Sequence, residues 1–243
     1  MIGSDQMVRV EQTEGLPEGW APAQIGDVIM DVQPGFACGV NNRGGHGVAH
    51  MRPMNVSEDG RIRLADIKYV PEEEVDGDRR RLRYGDVLFN NTNSPELVGK
   101  TAFYDLTESF AFSNHMTRLR CNPDAIDPRF CSKLLHQKWH EGYFLSVCNN
   151  HVSQASVGSS VLLETPIWLP PLAEQKRIVA KLEELLGRVN AARERLDRVL
   201  RIMKRFRRAV LAAACSGRLT EGWRERHPQV EPAVVTIERM RAS

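Results

Sequence analysis

Between Ile178 and Ala213 the apolar side chains keep one unbroken rhythm. Ile178, Leu182, Leu185, Val189, Ala192, Leu196, Val199, Met203, Phe206, Val210 and Ala213 follow one another in alternating steps of four and three. A helix packed on a globular core drifts away from a strict seven-residue repeat, whereas a coiled-coil seam keeps it. No proline or turn cluster interrupts the run before Ser216-Gly217, where Gly217 suits a left-handed helix end; Gly187 is the one weak point. At about 1.5 Å per residue, some 40 residues of a helix placed over 171–216 make a rod of roughly 60 Å. A domain of about 150 residues, with a radius of gyration of roughly 15 Å, cannot cover such a seam. The rod therefore needs another long helix, from a second copy or another protein.

The texture before the rod is different. Residues 1–15 are polar and aperiodic and predict a flexible lead-in, followed by Leu16-Pro17-Glu18-Gly19-Trp20, a turn-rich entry. Over 16–170, short apolar runs alternate with Gly, Pro, Asn and Asp. Gly47 to Arg52, Asp86 to Asn90, Leu97 to Tyr104, His115 to Arg120 and Thr165 to Leu169 predict strands. Pro128 to Ser146 predicts a helix through Phe130, Leu134, Leu135, Trp139 and Tyr143. The expected class is α+β: a strand-rich domain over 16–170, a long coiled-coil α-helix over 171–216, and a tail or connector over 217–243 with a short helix-like stretch from Val234 to Met240.

Charge is distributed unevenly. The formal net charge is +2, yet Lys176 to Arg208 holds twelve Lys/Arg against four Asp/Glu, leaving 21 basic and 27 acidic residues elsewhere. Such a stretch can approach phosphates or an acidic partner, while the remainder must recognise by specific contacts. The first residues carry no basic-then-apolar leader pattern, and apolar runs are too short to span a membrane. The five cysteines are odd in number, spread out and never in a CxxC pair, which suits a reducing cytoplasm.

Catalytic patterns are missing from the sequence. Ser94 to Thr101 (SPELVGKT) approaches a phosphate-binding loop, but Ser94 replaces its first glycine and Pro95 removes a backbone donor. No GxGxxG loop or Asn-Pro-Pro-aromatic motif occurs, and Glu72-Glu73-Glu74 precedes a basic run, Arg79-Arg80-Arg81, not a nuclease pattern. His136 and His140 have metal-ligand spacing without a third ligand nearby, and predict a surface pair. The chain reads as a binder without cofactor or metal of its own.

The segment Trp168-Leu169-Pro170-Pro171-Leu172-Ala173-Glu174-Gln175-Lys176-Arg177-Ile178-Val179 resembles the junction motif of Type I restriction–modification specificity subunits. Ala209-Val210-Leu211 and Ser216 to Thr220 resemble the far end of that family's helical arm. Leu16 to Trp20, Gly85 to Phe89, Val98 to Lys100, Ser113 to His115 and Arg118 to Arg120 resemble weaker landmarks inside its recognition domain. The resemblance implies a non-catalytic subunit whose recognition domain reads one half of a split double-stranded DNA target. Modification subunits would supply adenine methylation from S-adenosylmethionine, and restriction subunits, where present, ATP- and Mg-dependent cleavage. It further implies an antiparallel pairing of helical arms. Family members carry two recognition domains and two arms; this chain carries one of each, so a half-subunit that homodimerises through Ile178 to Ala213 and the first half of a longer protein both stay open.

Three polar stretches offer the side chains that read base edges and phosphates. They are Gly39 to Gly47 with Asn41, Asn42, Arg43 and His46; Asn90 to Lys100 with Asn90, Asn91, Asn93, Ser94 and Lys100; and Asn149 to Ser160 with Asn150, His151, Ser153 and Gln154. Asn and Gly also dominate ordinary turns. The rival readings are a coiled-coil adaptor whose head binds another protein, which predicts no DNA shift, and a nucleotide-dependent enzyme built around Gly99-Lys100-Thr101, which predicts ATP affinity.

Overall fold

The computed structural model describes residues 16–75, 77–151 and 154–242, and the side chains of Asn150 and His151 are not among what it describes. The lead-in expected over 1–15 and the candidate Ser153 lie outside the described residues. The chain divides into two compact units at Leu182/Glu183.

The first unit opens with β1 (Ala21–Gln24), a single turn α1 (Ile25–Val28) and β2 (Ile29–Pro34). Then come β3 (Val48–Met51), β4 (Lys68–Val70), β5 (Val87–Phe89), β6 (Thr92–Asn93), β7 (Thr101–Phe103), β8 (Ala111–Phe112) and β9 (Thr117–Cys121). Two helices, α2 (Pro128–His140) and α3 (Tyr143–Val147), precede β10 (Asn149–His151), β11 (Gln154–Ser156), α4 (Ser159–Leu163) and β12 (Pro166–Leu169). A four-stranded antiparallel sheet, β2-β9-β5-β7, forms the centre. Its strand β5 is three consecutive apolar residues, and the period of two splits them between two cores. Val87 and Phe89 enter one with Phe130, Leu135 and Phe144; Leu88 enters the other with Met51, Tyr104, Phe112 and Met116. A second sheet, β4-β3-β8, pairs β3 with β8 in parallel; a third joins β10-β11-β6, and β1 pairs antiparallel with β12.

Two sequence expectations change here. The helix expected over Pro128 to Ser146 is broken: α2 ends before Gly142, whose φ of +75° turns the chain into α3. The strand expected from Leu97 begins only at Thr101, because Ser94 to Lys100 forms a tight turn. In that turn Gly99 has φ +94°, and a Cβ there would come within 2.7 Å of Phe144 Cβ. The sequence that approached a phosphate loop is thus a packing turn, with glycine set by the core.

The long helix is α5 (Leu172–Cys215), 44 residues. Its first turns belong to the first unit. Gln175 is fully buried; its Oε1 accepts from Asp127 N (2.8 Å), and its Nε2 donates to the carbonyls of Ala125 (3.0 Å) and Pro170 (2.9 Å). Asp127 in turn caps α2, accepting from the backbone N of Arg129 and Phe130. The junction glutamine therefore ties the starts of two helices together. Val179 is buried in the head's core and Ile178 packs against it. That corrects the expected seam: Ile178 is spent on the head, and the free repeat begins at Leu182.

In the second unit the seam lies open. Leu185, Val189, Leu196, Val199, Met203, Phe206 and Val210 are all exposed, Phe206 by 64%. The helix ends at Gly217, φ +74°, where Arg224 Nη1 donates to the Gly217 carbonyl (2.7 Å). Then follow α6 (Glu221–Arg226) and α7 (Ala233–Ala242).

Candidate nucleic-acid interface

Short strands joined by polar turns are linked here by a chain of backbone hydrogen bonds. Gly35 N donates to Met116 O (2.9 Å), Asn114 N to Phe36 O (3.1 Å), Asn91 N to His115 O (3.1 Å) and Val157 N to Asn91 O (2.8 Å). Two of the three candidate stretches, around 91–94 and 149–156, thereby share the small sheet β10-β11-β6. The third, 39–47, is bonded elsewhere: Asn42 and Tyr69 exchange backbone hydrogen bonds at the edge of the second sheet.

The candidate side chains separate into two groups. Asn41, Arg43, His46 and Gln154 are exposed, and Asn93 and Ser94 half-buried; these can meet a ligand. Arg43 pairs only loosely with Asp66, at 3.9 Å between exposed groups. Asn150 and His151 lie on β10, but their side chains are outside the description.

Four others make hydrogen bonds within the fold. Asn90 and Lys100 are buried, contrary to expectation. Asn90 Nδ2 donates to Pro53 O (3.1 Å) and Lys100 Nζ to Val56 O (2.6 Å). Asn91 Nδ2 donates to Asn114 O (3.2 Å) and Thr117 Oγ1 (2.9 Å). Asn42 shapes its own loop, accepting from Gly44 N and donating to His46 O. These side chains spend hydrogen bonds on the chain's own backbone and on Thr117.

His136 is also corrected. It is buried, not part of a surface pair, and its Nε2 lies 3.1 Å from Glu58 O. Together with Asn90 and Lys100 it fastens the segment Pro53 to Glu58 by three carbonyl oxygens. Burial, reinforced by His140, pushes the His136 pKa down to about 4 from an ordinary 6.5. A histidine whose folded pKa is depressed contributes fully above the unfolded pKa, and that contribution falls as the unfolded state takes up the proton first. Stability is therefore expected to drop by about 2 kcal/mol between pH 6.5 and pH 4, the ring's partial solvation trimming the full shift. Urea midpoints across that range check this: His136→Phe should flatten the slope, and an unchanged slope would assign it to other groups.

Sequence reading passed over one further element. A turn spanning Asp78–Arg80 displays Arg79 to solvent and sets Arg80 over the Phe36 ring, 4.7 Å from its centroid. Buried Arg118, on β9, holds this turn: Nη1 donates to the carbonyls of Asp78 (3.0 Å), Arg79 (3.2 Å) and Arg81 (2.8 Å), and Nη2 pairs with Asp31. Arg120 beside it binds Asp78 (2.9 Å) and Asp86 (3.0 Å). Burial raises the Asp86 pKa, with the Arg83 backbone and Arg120 opposing it. The signal was visible as the run Arg79-Arg80-Arg81; the missing information was which distant arginine would fix it.

Comparison with known proteins decides the family. The model of the Type I restriction modification DNA specificity domain matches residues 17–200, covering the head and more than half of α5. The chain belongs to this family. It is 29% identical over 236 residues to the EcoKI specificity subunit of Escherichia coli K12, covering 88% of this chain and 46% of that protein. It is 40% identical over 162 residues to the Escherichia coli EcoBI specificity subunit, covering 58% of this chain and 33% of that protein. The chain thus spans about half the length of the curated relatives it matches. In fold it is similar to the HsdS subunit from Thermoanaerobacter tengcongensis, with TM-score 0.53 and 23% identity over 77% of this chain and 44% of that one. A chain from a solved type I R-M system gives 0.64 and 22% over 86% and 51%. Family members of this kind join a strand-rich α+β head to a long helix, as here. Among the described residues no three His, Cys, Asp or Glu gather as a metal site, no helix is long and apolar enough to cross a membrane, and none of the five cysteines is in a disulfide.

Proposed function

We propose that this chain is a non-catalytic, cytoplasmic DNA-reading component of a Type I restriction–modification complex, recognising one half of a split target. The family match across both head and helix carries this reading. Solvent-accessible polar side chains in the three loop stretches support it, with Asn41, Arg43, His46 and Gln154 exposed and Asn93 and Ser94 half-buried, all able to meet base edges and phosphates in double-stranded DNA. Adenine methylation with S-adenosylmethionine is assigned to modification subunits, and cleavage with ATP and Mg to a restriction subunit where one assembles.

We further propose that a second copy covers the open seam, antiparallel to the first. One register closes every layer with an a-type residue against a d-type residue: Leu182 with Ala213, Leu185 with Val210, Val189 with Phe206, Ala192 with Met203 and Leu196 with Val199. Large side chains face small ones at both ends and near the middle. The flanking positions agree as well, since each cation meets an apolar partner: Arg193 faces Leu200, Arg207 faces Leu186, Arg195 faces Ile202 and Arg188 faces Ala209. Sliding by seven residues sets Arg193 and Arg195 against their own copies, and a parallel in-register pair sets Arg188 against Arg193. Like charges at such positions destabilise.

Methylome sequencing of cells expressing the chain with its modification subunit tests the function. An interrupted palindrome is expected; a chain that binds partners without shifting DNA is an adaptor instead. Replacing Arg43, Asn93 and Ser94 together by Ala should weaken target binding by about 10- to 100-fold, the roughly 1–3 kcal/mol that a single base-edge contact is worth. Unchanged target affinity in an electrophoretic shift would clear these loops of base contact.

A further inference from the structure

The second unit's helix is more cationic on one side of its seam than on the other. Between Asp197 and Glu221 no acidic residue occurs, while Arg198, Arg201, Lys204, Arg205, Arg207 and Arg208 do. Relative to the seam, Arg188 and Arg195 flank one side and Arg198 and Arg205 lie next to them further out, all four exposed. Glu184 is the one acid on that side over 183–213, paired with Arg188 at 2.6 Å. The opposite flank carries Arg193, Lys204 and Arg207 against Glu183 and Asp197. One side therefore has net charge +3 and the other +1.

Resting on the antiparallel pairing proposed above, we infer that the side bearing Arg188, Arg195, Arg198 and Arg205 is a phosphate-binding surface for the DNA between the two half-targets. The dyad of an antiparallel pair runs perpendicular to the plane of its helices, so equivalent flanks of both copies fall on the same broad face. A duplex with a palindromic target shares that dyad and crosses one of the two broad faces, never an edge. The arginine-rich face doubles to +6, the other to +2. Arginine also favours bidentate contact with phosphate over a merely solvated surface charge. Contacts to intervening DNA would be blind to its sequence, as an interrupted target requires.

The test compares two triple variants of equal charge change in the full chain. Arg195, Arg198 and Arg205→Gln strips the proposed face, and Arg193, Lys204 and Arg207→Gln strips the opposite one. Binding of a random-sequence duplex of about 40 bp is followed by anisotropy over a salt series, with sedimentation in the same buffers. Each phosphate contact adds about 0.9 to the slope of log K against log salt, so six lost arginines should reduce the slope by roughly 3–5, and the opposite triple by about 1 at most. Arg195, Arg198 and Arg205→Lys should retain the slope if folding and charge are intact. Equal effects of the two Gln triples, or a larger effect of the second, overturn the inference. So does an unchanged slope accompanied by lost co-purification with the modification subunit, which would assign the face to a protein. A wild-type chain that sediments as a monomer counts against the paired rod itself, a separate readout from the contrast between faces.

Discussion

Leu196→Glu is expected to leave the chain monomeric at micromolar concentration and to weaken its binding to a two-part target by at least about 100-fold, the scale of avidity that linking two sites provides. Leu196 is 62% exposed in the single chain, and nothing in its own fold rests on it. In the antiparallel register it packs on Val199 of the other copy in the layers nearest the dyad, so one substitution introduces two carboxylates into the middle of the seam. Glutamate is a good helix former, and the head's urea midpoint should stay within about 0.5 kcal/mol of wild type. Sedimentation velocity and a binding titration read the two effects separately. A variant that remains a dimer would mean that the repeat over 182–213 is covered by something other than its own kind.

Arg118→Met should be the most damaging exchange in the head, costing about 3–5 kcal/mol. The arginine is 2% exposed by side chain, and its guanidinium satisfies three carbonyls and Asp31 at once. Methionine replaces the volume but leaves three main-chain acceptors without their donor, each costing about 1–3 kcal/mol if it stays buried. Arg118→Lys should recover little, because one ammonium cannot reproduce the planar fork. Urea unfolding followed by tryptophan fluorescence measures the loss; a cost under about 1 kcal/mol would show that the turn at Asp78–Arg80 is held by Arg120 and its own backbone.

What the sequence disclosed and what it concealed follow from the range of the forces involved. The rod was legible because periodicity is a local property: every residue from Leu182 to Ala213 reports its own face. The start of that seam was not, since Ile178 keeps the same rhythm while packing on the head, and only the tertiary position of Val179 separates the two fates. Strands β5 and β9 stood out as apolar or alternating runs. The strands β6, β10 and β11 have two or three residues each and exist through pairing with one another, which no local pattern announces. The site suffered most. Asn91 and Asn93 are neighbours of the same type and both half-buried, yet one spends its amide on distant Asn114 and Thr117 while the other accepts from the adjacent Ser94 N. Lys100 reads as a cation for phosphate until the chain packs it under Val56. Polar side chains carry the same chemistry whether they meet a ligand or a backbone, and long-range geometry alone assigns them.

The carbonyl fastenings in the head separate fixed positions from changeable ones. Pro53, Val56 and Glu58 are gripped by oxygens every residue possesses, and so are Asp78, Arg79 and Arg81. The clasps Asn90, Lys100, His136 and Arg118 act through their side chains, whereas the side chain at a position such as 79 can change without altering the carbonyl that is gripped. A scaffold so constructed can acquire new vocabulary on its outer turns while its grammar stays intact.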